Sequence, residues 1–282
     1  MAYGSITLTS GMRQNLFSLQ RTNNLMELTQ GRLATGKKVN TALDDPVAFF
    51  TAQSHEQRAS DLASRKDEMS ESVQLLKAAD NGIEAIADLI ASAKSLATSA
   101  LSGESTSDIS TLQTQYFDIL SQIDDLAADS GYKGVNLLDS TAVVHEVKFD
   151  ETGDSKLTIT GFDADSQGAT LSLMTFGANA WVSAGGTADK LDINSAITRL
   201  DNATSALRTE ASKLATNLSV ITARQDFTGS MINTLRDGAA NLTNADMNEE
   251  GANMLMLQTR QALSTTSLSL ASQAAQAVLR LF

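Results

Sequence analysis

Apolar residues recur along this chain at two periods. Over most of its length the step alternates between three and four; over one short stretch it drops to two. The first period belongs to an amphipathic helix with a partner, the second to a half-buried strand. Near the start, Met12, Leu16, Leu19, Asn23, Met26, Gln30 and Leu33 follow the three-four alternation, which predicts a helix over 5–35 that stops near Gly36. At the other end Met256, Leu263, Leu270 and Ala277 recur every seven residues, almost to Phe282. Chain ends usually fray. Patterns this regular at both ends point to segments that neighbouring molecules complete, and so to assembly rather than chemistry.

Between the ends the same period continues. Lys37-Lys38-Val39-Asn40 reads as a polar turn, after which Asp45 can cap a helix with Pro46 at its first position. Leu62, Met69, Leu76, Ile83, Ile90 and Ala97 are then seven apart, with Ala79, Ile86, Ala93 and Ala100 three residues behind the last four, which predicts coiled-coil-like packing as far as Gly103. Asp108 is the expected cap of a following helix bearing Ile109, Leu112, Tyr116, Ile119, Ile123 and Leu126, which Gly131-Tyr132-Lys133-Gly134 ends. From Asp192 the helical step returns through Ile193, Ile197, Leu200, Thr204, Leu207, Ala211, Leu214, Leu218, Ile221, Ile232 and Leu235. Gly238 and Asn241–Asn244 are expected to interrupt it, and Asp246 with Glu249 restarts it in a capping-box-like arrangement.

The period-two stretch lies between. Residues 143–149 and 156–160 read as strands around the turn Glu151-Thr152-Gly153-Asp154; Thr170–Leu173 is a third candidate and Gly185-Gly186 a loop. The block is too short for a large core of its own and reads as surface decoration on a helical body. Five segments follow: 1–43, 44–139, a β-rich insertion at 140–191, 192–242 and 243–282.

Charge sharpens this picture. The chain of 282 residues carries a net −12, against a nucleic-acid partner. Residues 1–43 hold five cations against Glu27 alone, a net +4; residues 139–192 hold nine acids against three lysines, a net −6. A basic amphipathic end can touch a membrane, but a partner-facing helix is the plainer reading, and no apolar run is long enough to insert in a bilayer. No basic region followed by an apolar one opens the sequence, so export without a cleaved signal is the expectation.

Candidate chemistry is sparse. The absence of cysteine removes disulfides and thiolate chemistry, and a single proline suits long helices. His55 and His145 lie in no metal-ligand spacing, no glycine-rich phosphate loop is present, and neither metal nor cofactor is expected. The sequons at Asn202, Asn217 and Asn241 read as chance, and Trp181 as the anchor of a small β core rather than of a ligand.

Six segments together resemble bacterial flagellins, most closely those of alphaproteobacteria. Thr35-Gly36-Lys37-Lys38-Val39-Asn40-Thr41-Ala42-Leu43-Asp44-Asp45-Pro46 is similar to the N-terminal signature, and Ala78–Ile83 and Gly134-Val135-Asn136-Leu137-Leu138 to two further segments. Ala245-Asp246-Met247, Gln258–Leu263 and the ending Ala274–Phe282 are similar to the C-terminal signature. The resemblance covers 1–138 and 193–282. It implies a mainly α fold: a long antiparallel coiled-coil-like rod built from both chain ends, with a small β-rich insertion outermost. It implies a non-enzymatic subunit that polymerises with itself into the extracellular flagellar filament. The residues that match its inner-tube helices are Leu16, Leu19, Met26, Leu33, Met256, Leu263, Leu270 and Ala277. Those that match its rod core are Leu62, Met69, Leu76, Ile83, Ile90, Ile119, Ile123, Leu207, Leu214 and Ile221. Implied partners are an export chaperone, the export apparatus, the filament cap and hook-associated proteins. Ser92-Ala93-Lys94-Ser95-Leu96 stands where many flagellins carry Arg-x-Arg-Glu-Leu, so innate-receptor recognition is not implied. A hook–filament junction protein is the alternative, since Asp44-Asp45-Pro46 occurs there too; an enzyme in the insertion would need a larger insertion and a visible site.

Overall fold

A computed structural model describes residues 10–173, 181–182 and 188–279. Among the described residues, five helices and one hairpin make up the regular structure: α1 (Ser10–Thr35), α2 (Pro46–Ser102), α3 (Thr106–Asp129), β1 (Val144–Lys148), β2 (Lys156–Thr160), α4 (Lys190–Thr243) and α5 (Met247–Leu279). The fold is mainly α with one small antiparallel sheet. Two compact units share the long helices: one comprises 1–57 and 234–282, the other 58–233.

Local chemistry sets the helix ends. Gly36 takes φ +71°, the left-handed conformation that closes α1, and its N–H returns to Arg32 O at 2.8 Å. Asp45 Oδ1 accepts Val47 N and Ala48 N, both at 3.0 Å, and so caps α2 ahead of Pro46. Asp189 Oδ1 caps α4 through Leu191 N and Asp192 N, and Asp246 Oδ1 caps α5 through Asn248 N and Glu249 N.

Three expectations change here. Asp108 is not the cap of α3: Ser105 occupies that place, and Asp108 sits in the first turn, where its charge still complements the helix dipole. Gly238 does not interrupt α4, which runs on to Thr243; a Cβ at Gly238 would lie 3.7 Å from His55 Cδ2, an ordinary packing distance. Thr170–Leu173 is not a strand but part of a turn, tied by Ser172 N to Gly168 O and Leu173 N to Ser166 O. The Gly185-Gly186 loop, residues 5–9 of the first expected helix and residues 280–282 lie outside the described residues.

In the 58–233 unit, α2 and α4 run antiparallel: Gln225 donates to Ser70, and Lys94 pairs with Asp201. Leu62, Met69, Leu76, Ile83, Ile90 and Ala97 of α2 are all buried, as are Leu207, Leu214 and Ile221 of α4. On α3 the buried line is Ile109, Gln113, Tyr116, Leu120, Ile123 and Ala127. Ile119, expected in that core, is half-buried at its margin with Leu112 and Leu126. The turn after α3 closes over the Ala127 side, where Asn136 Nδ2 donates to the carbonyls of Ala127 (2.7 Å) and Ala128 (3.0 Å). That amide satisfies carbonyls the helix end leaves free. The same turn rests on Gly82 of α2, where a Cβ would run into the Ser130 side chain.

The hairpin pairs His145 with Ile159 and Val147 with Leu157 in register, while Glu146 and Lys156 join at 2.6 Å on its exposed face. Its apolar residues do not form a separate core. Val147, Phe149, Ile159, Phe162, Leu171, Leu173 and Trp181 belong to the same apolar cluster as Ile90, Tyr116 and Leu200. Trp181 is buried with its ring centroid 4.9 Å from that of Tyr116. The insertion is therefore not decoration alone: the helices bury part of their faces against it. Arg224 caps the Phe149 ring at 5.1 Å and Arg58 pairs with Glu151 at 2.6 Å, tying the hairpin turn down.

Candidate assembly surface

The 1–57 and 234–282 unit is built on α1 and α5, which pack along each other. Asn15 Nδ2 donates to Ser267 Oγ (3.2 Å), Gln261 Nε2 to Asn23 Oδ1 (3.0 Å), and Arg32 Nη1 to Glu250 Oε1 (2.8 Å). Rising numbers on α1 meet falling numbers on α5, so the pair is antiparallel. Backbone bonds close its corner: Lys38 N and Val39 N donate to Thr243 O, and Ala245 N to Gly36 O. Arg32 lies in the last turn of α1 and Glu250 in the first turn of α5, where each charge also suits its own helix dipole.

The interhelical seam is less apolar than the sequence pattern suggests. On α1 it comprises Met12, Asn15, Leu19, Thr22, Met26, Thr29 and Leu33, all buried or half-buried. On α5 it comprises Glu250, Met254, Leu257, Gln261, Ser264, Leu268 and Ala271. Both sets alternate three and four residues. Leu19, Met26 and Leu33 thus face the partner helix, whereas Leu16 lies outside the seam with Asn23 and Gln30.

The expected stripe on α5 points away. Met256 is 56 % exposed, Leu263 72 % and Leu270 62 %, and Ala277 is exposed as well. Each of Met256, Leu263 and Leu270 precedes a seam residue by one position, which turns it about 100° around the helix. Leu255 on α5 and Phe17, Leu25 and Leu28 on α1 are also exposed; the periodicity did not single them out. Their signal was available in composition alone: large apolar residues beside a stripe already assigned. Scattered apolar residues on a surface are ordinary, but a row of them along two paired helices marks an interaction face.

Among the described residues no group of three or more His, Asp or Glu side chains is placed to hold a metal ion, and no helix is long and apolar enough to cross a membrane. Asp44 is held below the usual carboxylate range by the N–H groups of Thr41 and Asn40, a turn-building role. The Ser92–Leu96 segment buries Ala93 and exposes Ser92 and Ser95. The three sequon asparagines all lie within α4.

Two family models match this chain. Residues 8–142 match the bacterial flagellin N-terminal helical region and 192–282 the bacterial flagellin C-terminal helical region. Over full length the sequence is 28 % identical to flagellin FljM of Caulobacter vibrioides, with 100 % of each chain covered. It is 26 % identical to a flagellin of Brucella melitensis, with 99 % of each covered. A Bacillus cereus flagellin structure overlaps 57 % of this chain and 88 % of its own, at 20 % identity and a TM-score of 0.48, too loose an overlap to add to the family models.

Proposed function

The chain belongs to the bacterial flagellin family, a family of structural filament subunits rather than enzymes, and we propose that it polymerises through α1 and α5 into the flagellar filament that drives swimming. The observation that carries this reading is the outward apolar row Leu255, Met256, Leu263 and Leu270 on α5 beside Phe17, Leu25 and Leu28 on α1. Such a row is costly to leave in water and useful where other copies cover it. In this reading 1–43 and 243–282 line the tube, with Leu16, Leu19, Met26, Leu33, Met256, Leu263, Leu270 and Ala277 as contact residues. Segments 44–139 and 192–242 form the rod, and 140–191 the outer layer. The partners are further copies of the chain, with an export chaperone, the export apparatus, the filament cap and hook-associated proteins at the stages before and around assembly. Export proceeds without a cleaved signal. The curated relatives are named flagellins, which supports the filament over the hook–filament junction.

Electron microscopy of the purified full chain, incubated with sheared filament seeds, tests the reading. Helical tubes that lengthen with added protein are expected. Protein that stays monomeric at every concentration and salt, while folded by circular dichroism, would refute it.

A further inference from the structure

The unit built on 1–57 and 234–282 has an open cavity of about 440 Å³ on the exposed side of α1. α1 floors it with Leu28 and Gly31, and the loop after α1 walls it with Asn40, Thr41 and Asp44. Gly31 keeps the floor open, since a Cβ there would meet no atom within 4 Å. The charged lining is Arg32, Lys37 and Lys38 against Glu27 and Asp44. Asp44 already engages its Oδ2 with Asn40 N, Thr41 N and Thr41 Oγ1, and Arg32 pairs with Glu250, while Lys37 and Lys38 join no ion pair among the described residues. Arg32 also keeps a buried Nε–H without an acceptor, which is costly until an oxygen reaches it. The cavity is therefore suited to an apolar group that arrives with acceptors and negative charge.

The loop that walls this cavity carries such a group on its outer side. Leu43 does not line the cavity and is 95 % exposed, more than any other large apolar side chain among the described residues. Val47 and Phe50, also exposed, continue the outward line at helical spacing onto the first turns of α2. Asp45 stands beside them, and residues 39–57 contain neither lysine nor arginine. We propose that Leu43 of one copy of the chain enters the α1 cavity of the next, with Asp45 meeting the cations Lys37 and Lys38 at its rim. The pairing sets apolar against apolar and acid against base, which selects partner and register. It also fixes the symmetry. Knob and cavity stand back to back across one loop, so two copies cannot fill each other's cavity about a two-fold axis. The contact is head-to-tail, and a head-to-tail contact that does not close into a ring repeats along an open helix.

The inference rests on the assembly reading, and the test separates the two. Because the chain lacks cysteine, two full-length proteins with one cysteine each, Leu43→Cys and Leu28→Cys, can be mixed into parent protein, polymerised on seeds and oxidised. Disulfide-linked pairs are expected when both variants are present and absent when either is present alone. The two thiols lie on different molecules, so no link within one chain contributes. In parallel, Gly31→Leu fills the cavity from its floor. Its melting temperature should match or exceed the parent's, as for a helical glycine replaced where there is room. Its critical concentration for polymerisation should rise at least about tenfold, the effect of one leucine left uncovered, and Leu43→Ser should raise the threshold likewise. A linked pair in Leu43→Cys alone, or an unmoved threshold in Gly31→Leu, overturns the inference. Filaments that form without any mixed link overturn it too and leave the assembly reading standing. If the parent never polymerises while the concentrated mixture still links, the head-to-tail contact stands and the filament reading fails; neither filament nor link overturns both.

Discussion

The Nε2 atom of His145 lies 2.9 Å from Ser72 Oγ, joining the hairpin to α2. Ser72 already donates its hydroxyl hydrogen to Glu68 O at 2.9 Å, so its oxygen accepts and Nε2 carries the hydrogen. Burial disfavours the charged ring and holds the His145 pKa below its ordinary 6.5. A depressed histidine pKa means that the unfolded chain binds the proton more readily. This contribution to stability is fully present above about pH 6.5 and declines as the pH falls through that value toward the lower folded one. Thermal melts between pH 7.5 and 5 should show the decline, and His145→Gln should flatten that part of the profile. An identical profile in the variant would remove His145 from the account.

The α3 face can be read by two neighbouring substitutions. Leu120 is fully buried while Ile119 sits at the margin. Leu120→Ala should cost about 2–5 kcal/mol and Ile119→Ala markedly less. Ile90→Ala, also in the core, should behave like Leu120→Ala, and Ile90→Asp should be worse because it buries an unpaired charge. Urea melts of the four variants decide the matter; equal losses at 119 and 120 would show that the face is rotated.

Trp181 joins the 140–191 block to the helices through Tyr116. Trp181→Ala should therefore cost about 3–5 kcal/mol. Replacement of 141–188 by a Gly-Ser linker should lower the melting temperature, because it uncovers core positions on α3. A truncated protein as stable as the parent would return the block to mere decoration.

The outward row on α5 should separate stability from assembly. Leu263→Ser with Leu270→Ser removes no contact with α1 and should alter monomer stability by about 0.5 kcal/mol or less per site. If a second copy covers these residues, each loses about 1.5–3 kcal/mol of burial on assembly. The critical concentration for polymerisation should then rise at least about tenfold. Sedimentation of polymer across a concentration series measures it; an unmoved threshold would place the row outside the contact.

How far the sequence foretold this fold depends on which question is asked of it. Helix ends were legible where one side chain does the work, as at Asp45, Gly36 and Asp246. The seven-residue lines from Leu62 to Ala97 on α2 and through Ile193, Leu200 and Leu207 on α4 fell in the core because large apolar side chains have few other places to go. Which flank of such a line is buried was not legible. On α1 and α3 the intermediate positions lie on the other side from those the three-four count picks out: Asn15, Thr22 and Thr29 rather than Leu16, Asn23 and Gln30, and Gln113 and Leu120 rather than Leu112 and Ile119. The choice depends on what packs opposite, and periodicity within one helix does not encode that. On α5 the seven-residue line Met256, Leu263 and Leu270 lies one position off the seam with α1. The buried line there runs through Met254, Leu257, Leu268 and Ala271 instead.

Gly82 reverses a familiar rule of protein engineering. Glycine inside a helix usually invites replacement by alanine, for a gain of about 0.5–1 kcal/mol. Here the added methyl would lie 2.8 Å from Ser130 Cβ as well as against its hydroxyl. The two positions are thus coupled in size, and a library that varies one at a time would record Gly82 as intolerant. A methyl group can move onto α2 only if Ser130 gives up its side chain in the same molecule and Leu138, whose Cδ2 would lie 3.0 Å away, shifts slightly.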